Sequence, residues 1–203
     1  MKKNNLLNLW KNNEACINTW LSIPNSFTAE AVGKMGWDSI TIDMQHGQSD
    51  YSTSISMLQS LSNSKSIPLV RVPWSEPGII MKMLDLGVMG IIAPMINTKK
   101  ECENFVSYCQ YPPLGKRSFG PLRAQMVYGS DYYEKANENI ISLAMIETKE
   151  AIENIDDILS VPNLTGVYVG PGDMCSSYGL KPHFDVKEEP IFSNIKLIAK
   201  KAK

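Results

Sequence analysis

Cysteine and histidine are scarce in this chain, with four cysteines and two histidines in 203 residues. Cys16, Cys102, Cys109 and Cys175 form no C-x-x-C pair, and neither His46 nor His183 lies near them at zinc-ligand spacing. That removes zinc-ribbon and thioredoxin-like readings. Cys102 and Cys109 fall with Phe105 and Val106 on the buried stripe of a helix, so the cysteines are expected to be reduced packing residues of a cytoplasmic protein. An excess of charge is also missing: 20 Lys+Arg face 21 Asp+Glu, for a net charge of −1. No electrostatic footprint for nucleic acid or an anionic membrane is left. Nor is there a long hydrophobic run, because the most apolar stretch, 78–96, is interrupted by Lys82, Asp85 and glycines. Met1-Lys2-Lys3 is followed by Asn5, Asn8, Lys11, Asn12 and Asn13, too polar for an export segment. No G-x-G-x-x-G follows any candidate strand, which weighs against a dinucleotide-binding sheet.

What remains is an ordinary globular composition, 43% hydrophobic and 20% charged, read as a single domain over 1–203. Apolar, β-prone runs alternate with helical patterns, the signal for parallel βα units. Candidate strands are Cys16–Ile23, Ser39–Met44, Ile67–Val72, Gly90–Pro94, Ser142–Ile146 and Gly166–Val169. Several are short apolar runs without clean alternation, as in strands buried on both faces. Ser75-Glu76-Pro77 opens a helix whose apolar face is Ile79, Ile80, Met83 and Leu84. Thr98 with Glu101 is a capping box for the next. Thr148 opens another, with the stripe Ala151, Ile152, Ile155, Ile158 and Leu159 and a stop at Pro162. The longest gap between strands holds a helix plus an inserted loop from Tyr111 to roughly Tyr133, rich in Pro, Gly, Arg and Tyr. Successive βα units favour a (β/α) barrel over an open doubly wound sheet.

In such barrels the chemistry sits at the C-terminal ends of the strands, and there the unusual residues fall. Strand two runs into Asp43-Met44-Gln45-His46-Gly47, strand three ends at Arg71, strand five at Glu147, and strand six runs into Gly170-Pro171-Gly172-Asp173. Neighbouring strand tips lie about 5 Å apart, so Glu147 and Asp173 could grip one hard divalent cation, with water and substrate oxygens completing its shell. The alternative for Glu147 is a cap on the helix that follows it. His46 taken alone reads equally as a loop residue or a base, and Asp43 or Asp85 could orient its ring for a proton shuttle. Arg71 after a buried strand needs a partner, either an oxyanion or a carboxylate. The Gly170–Asp173 turn exposes backbone N–H groups that could hold a small carboxylate, or it is simply a Gly-Pro turn. His183, in a polar loop, is given no role.

These residues carry a resemblance. Asp43-Met44-Gln45-His46-Gly47, Pro68-Leu69-Val70-Arg71-Val72, the run from Tyr111 to Ala124 (YPPLGKRSFGPLRA), Met145-Ile146-Glu147-Thr148 and Val169-Gly170-Pro171-Gly172-Asp173 are similar to the HpcH/HpaI aldolase/citrate lyase family. The likeness extends from about Asn18 to Gly179. It points in particular to the metal-dependent pyruvate aldolases acting on 4-hydroxy-2-oxo acids such as 2,4-dihydroxyhept-2-ene-1,7-dioate. The resemblance implies a (β/α)8 TIM barrel of the phosphoenolpyruvate/pyruvate-binding type. Glu147 and Asp173 would bind a divalent metal (magnesium, manganese or cobalt), with no organic cofactor. It implies that the amides of Gly172 and Asp173 hold the pyruvate carboxylate and that Arg71 faces the keto oxygen. His46 would move protons with help from Asp43 or Asp85, and Trp20 would line the pocket. A 2-oxo acid and an aldehyde would be the small-molecule partners, and a homo-oligomer, commonly a hexamer, the assembly.

Two departures accompany the resemblance. Gln45 stands where the family often has Glu, which keeps hydrogen bonding and loses a charge. About six of eight βα units are expected, with the chain ending inside the sixth helix, so the barrel is read as C-terminally truncated. Two other readings follow: a catalytically inactive barrel fragment with unpaired strand edges, and a citrate-lyase-like lyase acting on CoA esters.

Overall fold

The computed structural model describes residues 3–202. Six strands form one sheet in sequence order, and every neighbouring pair is parallel. They are β1 (Asn18–Leu21), β2 (Ser39–Asp43), β3 (Ile67–Arg71), β4 (Gly90–Ala93), β5 (Ile141–Ile146) and β6 (Gly166–Val169). Helix α1 (Asn5–Lys11) precedes the sheet, and α2 (Ser26–Gly33), α3 (Tyr51–Ser60), α4 (Pro77–Asp85) and α5 (Lys99–Cys109) follow the first four strands. Helices α6 (Leu122–Tyr128) and α7 (Tyr132–Asn139) lead into β5, α8 (Lys149–Glu153) and α9 (Ile155–Leu159) into β6, and α10 (Pro171–Ser177) and α11 (Ile191–Lys201) come last.

The strands curl into a half-barrel. β1 and β6 are not paired with each other, yet Trp20 on β1 and Tyr168 on β6 meet edge to face, 5.7 Å between ring centroids. Side chains of a strand alternate between faces, and that parity builds two apolar layers. Ile40, Ile42, Val70, Ile91, Ala144 and Ile146 point outward into a core shared with Met57, Leu58, Ile80, Met83, Phe105 and Ile155 of the helices. Leu69, Ile92, Ile141, Leu143 and Met145 point inward and pack on one another and on Leu6 of α1. Strands buried on both faces thus read as continuous apolar runs. The same inward parity continues to Arg71 at the tip of β3, Asp43 at the tip of β2 and Glu147 just past β5.

The start and stop signals do their work as expected. Glu76 caps α4, accepting from the N–H groups of Gly78 and Ile79 at 3.1 Å each, with Pro77 in its first turn. Thr98 and Glu101 form the capping box of α5. Cys102 and Cys109 are buried beside Phe105 and Val106, and all four cysteines are free. Burial pushes the Cys102 thiol up to about 12 and Cys109 higher still, which makes them inert packing groups.

Two segments differ from expectation, and a third, at the N-terminus, carried none. The helix after Thr148 is broken at Asn154, whose side chain donates to the Asn97 carbonyl at 2.9 Å. An asparagine with a backbone partner elsewhere competes with continuous helix. The segment from Tyr111 to Tyr133 is only partly loop, because Leu122–Tyr128, free of Pro and Gly, forms α6. The polar N-terminal stretch folds as α1, capped by Asn4, which accepts from Leu6 N–H at 3.1 Å. Asn4 also donates to the carbonyls of Asn139 and Met89 at 2.9 and 3.3 Å, which ties α1 across the N-terminal ends of β4 and β5. Among the described residues no helix is long and apolar enough to cross a membrane.

Leu6 therefore closes the floor of the half-barrel at 1% exposure. Leu6→Ala is expected to lower the unfolding free energy by about 2–5 kcal/mol, measured by urea denaturation, through lost burial and the cavity left behind.

Candidate active site

A cleft of about 710 Å³ opens at the C-terminal ends of the strands, within the size range of small-molecule sites. Trp20, Asp43, His46, Arg71, Glu147, Gly172 and Asp173 all line it. One curled sheet therefore brings seven of the eight predicted site residues to one mouth. Asp85 is the exception.

Asp43 and Arg71 occupy paired register positions on β2 and β3. Arg71 donates to Asp43 through Nε to Oδ1 at 2.9 Å and through Nη2 to Oδ2 at 2.7 Å. This two-pronged geometry suits a guanidinium and a carboxylate and fixes the plane of both. The guanidinium also lies over the Trp20 ring, 4.7 Å from its centroid. Asp43 Oδ1 additionally accepts from the backbone N–H groups of Gln45 and His46, at 3.1 and 3.3 Å. Burial alone would raise its pKa, but the Arg71 hydrogen bond and charge, helped by the two backbone donors, outweigh it and hold Asp43 below its ordinary value of 3.8.

Glu147 is 1% exposed and accepts from the Met95 N–H through Oε1 at 2.7 Å. Burial is the main reason its pKa is raised, and the nearby charge of Asp173 adds to the shift. The Met95 N–H and Arg71 act against it without cancelling it. Asp173 is exposed in the first turn of α10. As first-turn residues, Gly172 and Asp173 have no intrahelical acceptor for their N–H groups.

The fit to a divalent cation can be judged from this donor set. Among the described residues no group of three or more His, Cys, Asp or Glu is gathered to hold a metal alone. The chain supplies two hard carboxylate oxygens from neighbouring strand ends, one buried beside the other's like charge, while the nearest guanidinium is engaged by Asp43. A small hard cation that keeps several waters or substrate oxygens in its shell is bound by one or two carboxylates. The residues fit such an ion and do not fit a closed structural site.

Among the described residues neither Asp43 nor Asp85 orients the His46 ring. Asp43 holds the His46 backbone rather than its ring, and the ring takes no hydrogen bond from the described residues. Asp85 stands at the far end of α4 and pairs with Arg117, Nη2 to Oδ1 at 2.8 Å. Arg117 is fully buried, also donates to the Tyr132 hydroxyl at 3.1 Å, and lies 4.3 Å over the Tyr111 ring. Asp85 is thus the counter-ion that allows an arginine of the Tyr111–Ala124 run to be buried. Gln45, expected to keep hydrogen bonding, has a buried amide oxygen with no partner among the described residues.

Tyr168 and Met95 were not singled out by sequence reading, and Gly170 was read only as part of a turn. Tyr168 has the inward parity of β6 and lines the cleft, a signal available from strand alternation. The Met95 contribution is a backbone N–H, which carries no residue-type signal. A second cavity, of about 250 Å³, lies at the N-terminal ends of the strands. Its Arg123 donates to the carbonyls of Leu58 and Leu86, at the ends of α3 and α4, so it closes helix C-termini.

A parallel βα half-barrel with a carboxylate pair, an anchored arginine and a histidine at its C-terminal mouth belongs to the class of barrels that do chemistry at that end. The family described as HpcH/HpaI aldolase/citrate lyase matches residues 17–203, and the chain belongs to it. It is 40% identical over 199 residues to a hydroxypyruvate/pyruvate aldolase of Rhizorhabdus wittichii, covering 98% of this chain and 79% of that protein. It is 35% identical over 165 residues to a 5-keto-4-deoxy-D-glucarate aldolase of Escherichia coli, covering 80% of this chain and 64% of the relative. The crystal structure of an HpcH/HpaI aldolase/citrate lyase family protein from Burkholderia cenocepacia superposes with a TM-score of 0.87 at 25% identity, over 98% of this chain and 82% of that one.

Two outcomes follow from the geometry. Because the folded pKa of Asp43 is depressed, its stabilisation is present above the ordinary value and is lost as pH falls through the folded value. The stability gap between wild type and Asp43→Asn, read by urea denaturation, should be widest at neutral pH and narrow as the pH falls below 3.8. Asp85→Asn should cost about 3 kcal/mol in the same measurement, since it strands a buried guanidinium.

Proposed function

We propose that this chain is a divalent-metal-dependent aldolase of the pyruvate type, cleaving the C3–C4 bond of a 4-hydroxy-2-oxo acid to pyruvate and an aldehyde. The observation that carries the reading is the buried Glu147 beside Asp173, two carboxylates in the cleft that also holds Arg71 and His46. Glu147 and Asp173 would hold magnesium, manganese or cobalt, which when bound supplies Lewis acidity to a 2-oxo acid. The aldolase names of the relatives support the lyase class.

The chain's own groups account for the remaining steps. His46, exposed at the cleft with a free ring, takes the C4-hydroxyl proton through water as general base. The C3–C4 bond then breaks, and its electron pair passes into the enolate of the departing pyruvate unit. Arg71, with Nε and Nη2 fixed by Asp43, keeps Nη1 for the negative charge that develops on the C2 oxygen. A donor held in place before the reaction needs no reorganisation as the charge grows. The amides of Gly172 and Asp173 receive the substrate carboxylate. Trp20 and Tyr168 form the aromatic wall that limits water at the reacting carbons. Among the described residues no lysine lines the cleft, in keeping with enolate rather than imine chemistry. Return of that proton from His46 through water to C3 of the enolate completes pyruvate.

The test couples pyruvate release from a 4-hydroxy-2-oxo acid to NADH oxidation, with manganese or magnesium present. Metal-dependent pyruvate release is expected, abolished by Glu147→Ala and by Asp173→Ala. Activity that survives EDTA, or either substitution, would falsify the ligand assignment.

A further inference from the structure

Glu147 is the residue on which the proposed function rests, and its own strand does not explain where its carboxylate sits. Two backbone features on the flanking strand ends do. Met95, two residues beyond β4, has φ of 56°, in the left-handed region that non-glycine residues rarely adopt. In that conformation its N–H donates to Glu147 Oε1 at 2.7 Å. The Met95 side chain lines a separate small cavity with Trp74 and Tyr108 and does not line the cleft.

Gly170, one residue beyond β6, closes on Glu147 from the other side. A Cβ at this position would stand 2.2 Å from Glu147 Oε2 and 2.7 Å from Glu147 Cβ. Its φ is −104°, so the position needs no glycine for its dihedral angle. It needs the space. Glu147 therefore lies wedged between the ends of β4 and β6, with Oε1 held by an amide and Oε2 against a bare Cα. Oε2 takes no hydrogen bond from the described residues, which leaves it for a ligand from the cleft.

We propose that the left-handed backbone of Met95 and the missing side chain of Gly170 are positioning elements that preset Glu147 to receive a divalent cation. The inference rests on the metal-binding reading above and adds two residues to it, Gly170 in the cleft lining and Met95 outside it. Outer partners that orient a ligand typically change metal affinity by about 10–100-fold when removed.

Manganese alone is the probe, titrated into each purified variant and followed by the electron paramagnetic resonance of the free ion. Thermal unfolding of the metal-free proteins runs in parallel. Gly170→Ala should weaken manganese binding by about 10–100-fold. Met95→Val should bind at least about tenfold more weakly than Met95→Gly, since a β-branched residue resists positive φ and glycine does not. The Met95 comparison settles the matter if Gly170→Ala fails to fold, because neither of its side chains enters the cleft. A merely structural role would lower melting temperatures without separating the manganese affinities. Glu147→Ala is the reference. If it loses manganese while Gly170→Ala and Met95→Val bind as wild type does, the positioning inference is overturned. If Glu147→Ala itself binds manganese normally, the ligand assignment falls, and this inference with it.

Discussion

Asp43 and Arg71 sit at the same level on adjacent parallel strands, and their two-pronged ion pair is the contact on which the cleft mouth is built. A guanidinium brought inside a curled sheet must recover the hydration it loses, and a single carboxylate at matched register does so with two directional bonds. The pair then organises its surroundings. Asp43 gathers the Gln45 and His46 backbone, which shapes the loop that carries the histidine. Arg71 stacks on Trp20 and contributes positive charge toward Glu147. Without it, three carboxylates would face one cleft with no fixed cation among them.

Beneath that charged layer the barrel interior is apolar. Leu69, Ile92, Leu143 and Met145 fill it, and Leu6 seals the floor. The division has a mechanical consequence. Charged groups at the mouth rest on side chains locked by packing, so their geometry is set before any ligand arrives. A second charged pair, Asp85 with Arg117, repeats the same solution away from the cleft, where it anchors the long β4–β5 connection through Tyr111 and Tyr132.

Much of the fold was legible because parallel strands and amphipathic helices depend on local patterns. Glu76-Pro77 and the Thr98/Glu101 box mark helix starts by satisfying orphan N–H groups within three residues. Helix α1 was harder to see, since its asparagines look like loop residues until Asn4 finds carbonyls at Met89 and Asn139. The break at Asn154 likewise depends on a partner, Asn97, far away in the chain. In the site, strand-tip position identified Glu147, Arg71 and Asp43, because strand tips share one mouth, whereas Trp20 came from the family resemblance. That rule does not extend to Asp85, which ends a helix rather than a strand.

The sequence alone, then, determined the order of the six strands, the capped starts of the helices after β3, β4 and β5, and which polar side chains reach the C-terminal ends. These follow from periodicity and local hydrogen bonding, which need no distant partner. Tertiary structure alone decided the pairings: Asp43 with Arg71 rather than with the His46 ring, Asp85 with Arg117, and Glu147 with the amide of Met95 and the bare Cα of Gly170. Each depends on how tightly neighbouring strand ends converge once the sheet curls, a distance that no single segment encodes.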